Sequence, residues 1–542
     1  MNMKYVLIGM ALVLSISAGF VLMSDSDESD AAVVASGTCG TNLNWEYDDA
    51  TKTLTISGSG TTQIKGSPWV TAGVDKTAIT TVLYDTPNLT NINSDYPGIY
   101  YQHTNLVKVD LPNSLLKMGR ATFNGCTNLT DIVLPEGMTE LGEQNFLDCT
   151  SLVLGHLPDT ITKLNDSTFL NCIRLELNGL PSGLTRIPGN CFGNCTSLEL
   201  DELPSGITYI GLSAFDGTGV RFTSIPEGVS QMQTCAFKNC SNMTEISIPS
   251  TVVSWGQQVF VGCTNLATVY YNPVNCTAQA PNWSAFQDCT SLTEITIGET
   301  VSVIPNYMFI NIPSLKTINF NAVDCHDFTT DNQIFYGTAV DTIIFGDGVT
   351  RVPAHLCKDM TSTLESVSFN DDLNEIGIGA FQNCENMVVL TLPNVETIEA
   401  NAFEGCTELA IQTLPVSLTT VGEQAFKGCT GIDHLLVPKG FAAEIGTDAF
   451  DGCTNLTEIL NLSDLDIVAG AETYGKIGFY ATTVSNSFDD VAMVQDKEFK
   501  QHTIEPKDDA ASKLLRVLPI LIVVGLLMGI IGMFYFGRKN TA

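Results

Sequence analysis

The sequence predicts a β-rich repeat solenoid, a curved rod of stacked coils closed by caps at both ends and followed by a single C-terminal transmembrane helix. Three observations predict this fold: a unit of about 23 residues that recurs along most of the 542 residues, an apolar pattern of period two inside each unit, and a run of 20 uncharged residues near the C-terminus. A fixed internal period is a better guide to domain organisation than chain length.

The N-terminal segment has the pattern of a secretory signal. Lys4 precedes an apolar run from Tyr5 to Met23, and the acidic, serine-rich stretch "SDSDESD" follows it. We therefore predict a secretory signal and acidic segment over residues 1–35, with a short uncleaved anchor as the alternative.

Residues 36–76 are predicted to form an N-terminal β-hairpin cap. Leu43, Trp45 and Tyr47 alternate with polar residues, and "DDATK" supplies a turn. The alternation then continues through Leu54 in a returning strand. A solenoid needs such a cover because its terminal coil would otherwise expose its apolar face.

The solenoid itself, about 16 coils over residues 77–456, is predicted from a large apolar residue that recurs at steps of 21 to 26 residues. A period of this size indicates a leucine-rich-repeat type solenoid. The aligned positions are Tyr100, Phe123, Phe146, Phe169, Phe192, Phe215, Phe237, Phe260, Phe286, Phe309, Phe335, Leu356, Phe381, Phe403, Phe426 and Phe450.

Each unit also predicts one short strand. In "NLTDIVLP", Leu129, Ile132 and Leu134 are expected to face inward. Asp131 and its equivalents are expected to face outward. Four units have Gly155, Asn178, Asp201 or Gln412 where the others have Ile or Val, which predicts a bulge or a shift of register, with a change of curvature around residues 150–205.

Residues 485–513 and the segments that follow them are predicted to attach the solenoid to a membrane. Residues 485–513 have no period and many charges, which is typical of a flexible stalk. The uncharged run from Val517 to Phe536 spans a hydrocarbon core of ~30 Å at ~1.5 Å per residue. We predict a transmembrane helix over residues 514–537 and a cytoplasmic tail over 538–542.

An export signal before a single span predicts a single-pass protein of the cell membrane with its large N-terminal part extracellular. Gly525 and Gly529 form a G-x-x-x-G pair in the span. An ordinary glycine-containing span is the favoured interpretation, and weak self-association through these glycines is the alternative.

Eleven of the 17 cysteines follow the aligned aromatic by three residues: Cys126, Cys149, Cys172, Cys195, Cys240, Cys263, Cys289, Cys384, Cys406, Cys429 and Cys453. Other units carry His103, Thr218, Ile312, Thr338 or Asp359 there. Because a metal site or nucleophile would not tolerate Ile or Thr, buried packing thiols are favoured. Disulfides between neighbouring coils are the alternative in an exported protein, although side chains ~4.8 Å apart that point the same way fit the geometry of a bridge poorly.

The sequence predicts no catalytic, cofactor-binding or metal-binding residues. P-loop, H-E-x-x-H, G-x-S-x-G, G-x-G-x-x-G and EF-hand motifs do not occur. Cys325, His326 and Asp327 precede His355 and Cys357. Coincidence is favoured over zinc for this set, because the paired C-x-x-C spacing is missing.

The net charge of −34 limits the classes of partner. It opposes binding to nucleic acid or to an anionic membrane surface and favours a basic partner or simple solubility. Exposed aromatic and acidic side chains suit the recognition of sugars or basic proteins. The candidate ligand-binding residues are Asp131, Glu245, Tyr270, Trp283 and Glu294.

Ten N-x-[ST] triplets occur, among them those of Asn88, Asn282 and Asn461. Several, such as those of Asn128 and Asn455, arise from the recurring "CTNLT". Glycosylation is therefore expected only at a subset, in a host that performs it.

The units "AFKNCSNMTEISIPSTVVSWGQQVFVGCTNL" and "AFDGCTNLTEI" resemble those of BspA-type leucine-rich repeat surface proteins, and the resemblance covers residues 36–484. Residues 36–69 look like the N-terminal module of that family, and "NLSDLDIVAGAETYGKIGFYATTV" looks like its C-terminal end piece, which places a C-terminal cap at residues 457–484. The resemblance implies an exposed protein used for adhesion or recognition, without shared catalytic residues.

We therefore expect a membrane-anchored surface protein that recognises an extracellular protein or glycan, rather than an enzyme. A structural surface coat formed by self-association is the alternative.

Overall fold

The computed structural model describes residues 33–60, 66–92, 97–278, 284–331, 334–389 and 391–487. The chain divides into two compact units. Unit 1 runs to Leu315 and includes Gln333–Thr338, and unit 2 comprises Lys316–Asn332 and the residues from Ala339 onward. Nearly all of the predicted signal and stalk, and the whole predicted span with its two glycines, lie outside the described residues. The described part of the chain contains no helix with the length and hydropathy needed to cross a membrane.

Unit 1 contains 17 described strands, most of them two to four residues long. They are β1 (Val33–Gly40), β2 (Leu43–Asp48), β3 (Thr53–Gly58), β4 (Thr81–Asp85), β5 (Asn91–Ile92), β6 (Lys108–Asp110), β7 (Lys117–Met118), β8 (Asp131–Ile132), β9 (Glu140–Leu141), β10 (Arg186–Ile187), β11 (Tyr209–Ile210), β12 (Gln231–Met232), β13 (Glu245–Ile248), β14 (Ser254–Trp255), β15 (Thr268–Tyr271), β16 (Thr277–Ala278) and β17 (Glu294–Ile297). A one-turn helix α1 (Pro68–Thr71) and a 3-10 turn (Lys76–Ala78) precede β4.

Each coil of unit 1 has three sides. The front strands pair in parallel as β4-β6-β8 and β13-β15-β17. The back strands pair in parallel as β5-β7-β9 and β10-β11-β12-β14-β16. The third side is a turn that carries the aligned aromatic, here named the aromatic turn. Because successive coils pair in register and bury alternate residues, the predicted solenoid of leucine-rich-repeat type is confirmed.

The aromatic side chains of unit 1 form one continuous stack, here named the aromatic column. It begins at Trp69, continues through Tyr100 and ends at Phe335, with ring centroids of neighbours 5.3 to 6.2 Å apart. The backbone also joins the coils, since Phe146 N–H donates to Thr168 O of the next coil at 2.8 Å. Each ring between these two ends is therefore buried between the rings of two adjacent coils.

The predicted N-terminal hairpin is present as β2 and β3, which pair antiparallel, and β3 joins β4 in parallel. Trp69 follows the hairpin, stacks on Tyr100 at 5.4 Å, and so provides the first ring of the aromatic column. Its indole Nε1 donates to His103 Nε2 at 3.0 Å. His103 is buried and occupies the position that most coils give to cysteine. The segment before the first coil is thus joined to it by the β3–β4 ladder, by the ring stack and by this buried hydrogen bond.

The front strands of unit 1 are interrupted where the sequence predicts a bulge or a shift of register. Between β8 and β13 the described ladder is reduced to isolated bridges, Gly155 with Leu177 and Ser224 with Ser247. In regular coils, two successive buried residues of the front strand are two positions apart in the sequence. Here the buried residues Leu200 and Leu203 are three positions apart. An extra residue between inward positions breaks the alternation that a strand requires.

Unit 2 contains eleven described strands and one short turn. They are β18 (Thr317–Phe320), β19 (Thr342–Phe345), β20 (Arg351–Val352), β21 (Ser366–Ser368), β22 (Glu375–Ile376), β23 (Thr397–Ile398), β24 (Thr420–Val421), β25 (His434–Val437), β26 (Glu444–Ile445), β27 (Glu458–Asn461), β28 (Thr483–Ser485) and the turn α2 (Thr473–Lys476). Front strands pair as β18-β19-β21 and β25-β27-β28, and back strands as β20-β22-β23-β24-β26.

One predicted column position in unit 2 is wrong. The alignment places Leu356 in the aromatic column, but the structure places Cys357 there: Cys357 N–H donates to Ala380 O at 2.8 Å, as a column residue does in other coils. His355 and Asp359 have positive φ two residues before and after it, as Gln144 and Asp148 do around Phe146. Met360, not Asp359, therefore holds the ladder position of this coil. The alignment failed because it selected the larger apolar side chain.

The C-terminal segment of unit 2 continues the hydrogen bonds of the last coil. Phe450 N–H donates to Gly475 O at 2.8 Å, which takes the place of a further coil. Lys476 Nζ lies 2.9 Å from a carboxylate oxygen of both Asp448 and Asp451. Strand β28 pairs in parallel with β27. The segment thus covers the backbone groups that the last aromatic turn would otherwise leave unpaired.

Replacing Phe169 by alanine is expected to lower the free energy of unfolding by about 3 to 5 kcal/mol, because the cavity opens between two stacked rings. Denaturant unfolding and amide hydrogen exchange measure this loss, with protection lost first in the two neighbouring coils. Val133→Ala is the control, because Val133 is 71% exposed, and it should change stability by at most about 0.5 kcal/mol. Equal effects of the two substitutions would contradict the role of the column.

Acid should weaken the attachment of the N-terminal segment. Burial lowers the pKa of His103 from 6.5 to about 4. The unfolded chain therefore binds this proton more readily, and the stability that neutral His103 contributes is complete above about pH 6.5 and lost as the pH falls towards 4. The free energy of unfolding lost over this pH range is about 3 kcal/mol.

The pH dependence of unfolding, followed by tryptophan fluorescence, measures this effect. A His103→Gln variant should lose that part of the slope between pH 6.5 and 4. His156→Gln, at an exposed histidine, is the matched control. An unchanged slope in His103→Gln would show that other groups cause the acid sensitivity.

Candidate ligand-binding face

Three of the five predicted ligand residues share one surface of unit 1. In the register of β13, β15 and β17, Glu245 is opposite Thr268, which is opposite Glu294. Tyr270 lies two residues further along β15, on the same outward face. At the usual strand spacing of ~4.8 Å, the two acidic positions lie ~10 Å apart on either side of β15. We name this surface, with the hydroxyl residues between, the acidic–tyrosine face.

The backbone of the acidic–tyrosine face is held rigidly from behind. The inward residues of its strands are fully buried: Ile246, Ile248, Val269, Tyr271, Ile295 and Ile297. Tyr270 itself is 40% exposed. Its pKa is raised by partial burial and, to a smaller extent, by the negative charges of Glu245 and Glu294. The phenol and both carboxylates are thus close enough to interact electrostatically.

Asp131, a fourth predicted ligand residue, is not part of this face. Asp131 lies on β8 and forms an ion pair with Lys108 Nζ at 2.8 Å, on the far side of the interrupted front strands. Its carboxylate is therefore engaged within the protein. Trp283 lies outside the described residues.

The sequence interpretation missed the hydroxyl residues of the face. Ser247 and Thr296 flank Tyr270 in register, and Thr268 lies between the two acids. The signal was present in "TEISIP", "ATVYYN" and "TEITIG", where alternate positions are polar. The register that aligns them depends on coils of unequal length.

The eleven ladder cysteines share one contact. All are buried, and each Sγ donates to the carbonyl of the column residue in the preceding coil at 3.0 to 3.2 Å. Phe146 O, for example, accepts from both Cys149 N–H and Cys172 Sγ at 3.0 Å. The thiol therefore satisfies the second lone pair of a buried carbonyl.

Two of the coils without this cysteine carry a threonine there, and its hydroxyl donates to the column carbonyl of its own coil rather than of the preceding one. Thr218 Oγ1 donates to Phe215 O at 2.8 Å, and Thr338 Oγ1 donates to Phe335 O at 2.7 Å. The position thus favours a small side chain with one donor, and Ile312 shows that packing alone is tolerated there.

The structure holds all 17 cysteines as free thiols. Burial raises the pKa of Cys240, Cys406 and Cys453 to about 12. Because the thiolate is the nucleophile and the metal ligand, such thiols stay protonated and are poor nucleophiles at neutral pH.

Two of the residues considered for zinc, Asp327 and Cys357, have structural roles. Arg351 Nη2 donates to Asp327 Oδ2 at 3.1 Å. The hydrogen bonds from Arg351 lower the pKa of the Asp327 carboxyl. Cys357 is buried in the column position described above. Among the described residues, no group of three or more His, Cys, Asp and Glu side chains is arranged to hold a metal ion.

Comparison with known proteins identifies the repeat. A family model described as "BspA type Leucine rich repeat region" matches in six copies over residues 90–220, 210–331 and 328–457. No curated protein matches the chain.

Three solved structures similar to the chain are all leucine-rich repeat proteins. One from Bacteroides ovatus is 22% identical over 65% of this chain and 86% of its own, with a TM-score of 0.32. A leucine rich cell surface protein from Faecalibacterium prausnitzii is 16% identical over 84% and 98%, with a TM-score of 0.26. One from T. pallidum is 22% identical over 42% and 88%, with a TM-score of 0.26.

Titration of thiols tests the role of the cysteines. In the native protein, Cys235 should react first because it is half-buried, while burial raises the pKa of the other half-buried thiol, Cys325, to about 12. The fifteen buried thiols should react only on unfolding. A chromogenic thiol reagent counts the reactive thiols, once in the native protein and once in denaturant. Reductant is left out of both measurements. Fewer than 17 thiols in denaturant would show that disulfides form.

Proposed function

Because the chain belongs to the BspA-type leucine-rich repeat family, we propose that it is a cell-surface protein that recognises an extracellular protein or glycan through its acidic–tyrosine face. The observation that carries the proposal is the register of β13, β15 and β17, which brings exposed Tyr270 and two acidic residues onto one outward surface.

The chemistry of this face suits a ligand with apolar and hydrogen-bonding or cationic groups. A tyrosine ring packs against a sugar ring or an apolar side chain and is among the residues that dominate binding energies. The carboxylates of Glu245 and Glu294 accept hydrogen bonds from sugar hydroxyls or from the cations of a basic protein, and charge-assisted bonds are the stronger kind. The net charge of −34 favours a basic protein over an acidic one.

The face is also preorganised. Its strands are fixed by fully buried side chains on the inward side, so little backbone entropy is lost when a ligand binds. A binding role agrees with the position of Glu245 and Glu294, whose carboxylates lie on the outward face of a sheet.

We place the protein at the cell membrane. The proposed arrangement follows the sequence: a signal at residues 1–35, caps at 36–76 and 457–484 around the solenoid at 77–456, a stalk at 485–513 and a span at 514–537. The ring stack of Trp69 and the ion pairs of Lys476 support the assignment of the two end segments as caps.

Binding of the full-length protein to arrayed glycans, matrix proteins and intact cells tests the proposal. Replacing Tyr270 by alanine, or Glu245 and Glu294 together by glutamine, should weaken saturable binding about tenfold or more, as truncation of a central interface residue does. Tyr336→Ala is the matched control, because Tyr336 is a tyrosine of unit 1 that is 66% exposed in an aromatic turn.

Equal binding of the Tyr270 and Tyr336 variants would contradict the assignment of the face. No binding to any ligand, together with ordered self-assembly of the purified protein, would instead support the structural surface coat.

A further inference from the structure

The ten N-x-[ST] triplets differ in what their asparagine amide contacts. Nine of these asparagines lie within the described residues, and Asn282 lies outside them. Attachment of an N-linked glycan needs the amide Nδ2 to be exposed, with room for a bulky sugar beside it. The contacts of Nδ2 therefore separate suitable acceptors from unsuitable ones.

Six of the nine asparagines use Nδ2 as a hydrogen-bond donor within the fold. Asn194 Nδ2 donates to Asn171 Oδ1 of the preceding coil at 2.8 Å, and Asn461 donates to Leu465 O at 2.7 Å while only 4% exposed. The six are Asn165, Asn194, Asn239, Asn242, Asn455 and Asn461. In five of them the acceptor belongs to the preceding coil, so Nδ2 is held against that coil and would have to leave it to react.

Asn128 differs from its equivalents for an identifiable reason. Asn242 and Asn455, at the same position of their coils, donate to a carbonyl of the preceding coil, Gly219 O and Thr430 O. The equivalent carbonyl for Asn128 is Thr104 O, and Thr127 Oγ1 donates to it at 3.4 Å. The amide of Asn128 is exposed and makes no hydrogen bond to the described part of the protein.

Asn88 is the second exposed amide, in the turn between β4 and β5, and it too makes no hydrogen bond to any described residue. Asn275 is also exposed, but the side chain of Thr277, which its triplet requires, lies outside the described side chains.

We propose that Asn88 and Asn128 are N-glycan acceptors and that the six hydrogen-bonded asparagines are not. The donor is a lipid-linked oligosaccharide. Nδ2 attacks the anomeric carbon, a new N–C bond forms, the bond from that carbon to the lipid phosphate breaks, and the amide proton leaves with the released lipid phosphate. The product keeps one amide N–H.

The two sites lie at opposite ends of two front strands that are separated by one strand. Asn88 follows β4 and Asn128 precedes β8, with β6 paired between these two strands. Glycans there would flank the outward surface that carries Asp131. The acidic–tyrosine face, on β13, β15 and β17, stays uncovered by either glycan because the interrupted front strands separate the two surfaces. This inference rests on the proposed surface location.

The test begins with the full chain isolated from the cells that produce it. A membrane-impermeant label applied to intact cells first establishes surface location. Glycopeptide mass spectrometry of the labelled protein should then find glycan at Asn88 and Asn128 and unmodified peptide at Asn194, Asn239 and Asn461. Labelled protein with unmodified Asn88 and Asn128 would overturn the sites alone, whereas unlabelled, unmodified protein would overturn the location as well.

Substitution of the hydroxyl residue in each triplet gives a second readout. Thr90→Ala and Thr130→Ala should each lower the intact mass by one glycan and leave thermal stability unchanged. Thr457→Ala is the matched control, because it removes the triplet of hydrogen-bonded Asn455 and should change the mass only by the substitution itself. Loss of a glycan in Thr457→Ala would overturn the selection by hydrogen bonding.

Discussion

The fold depends on how each coil pairs its buried backbone groups with the next coil. Short strands pair only a few of these groups, so the aromatic turn must satisfy the rest. It does so with backbone bonds such as that from Phe146 N–H to Thr168 O, and with the cysteine thiol that donates to the column carbonyl one coil earlier. The stacked rings exclude water from these bonds, which makes both contributions interdependent.

The same requirement explains the two ends. A solenoid lacks a neighbour for its first and last coils, and unpaired backbone groups there would be costly. At the start, Trp69 supplies a ring and His103 accepts the indole hydrogen bond in place of a thiol contact. At the end, Gly475 supplies the carbonyl that Phe450 N–H needs. Both segments continue the column or its hydrogen bonds without repeating the coil.

The outward surfaces are free of this constraint, and there the coils differ. Charged side chains of neighbouring coils form ion pairs across adjacent strands, as Lys108 and Asp131 do. Exposed ion pairs of this kind contribute little to stability. The acidic–tyrosine face lies where the front strands are regular. The coils that have an extra residue between their inward positions form no described front strand. Among the described residues of unit 1, the regular front ladder is therefore interrupted between β8 and β13.

The sequence by itself determined the repeat, the inward and outward alternation, the solenoid and the family, because each follows from a local period of apolar residues. It could not determine which coils lie in register, since the steps vary from 22 to 26 residues once Cys357 replaces Leu356 in the column. Only the tertiary structure placed Cys357 in the column, joined Asp131 to Lys108, and aligned Glu245 with Glu294 across Thr268. The physical reason is competition between coils for the same acceptors and the same space, which depends on residues far apart in the chain.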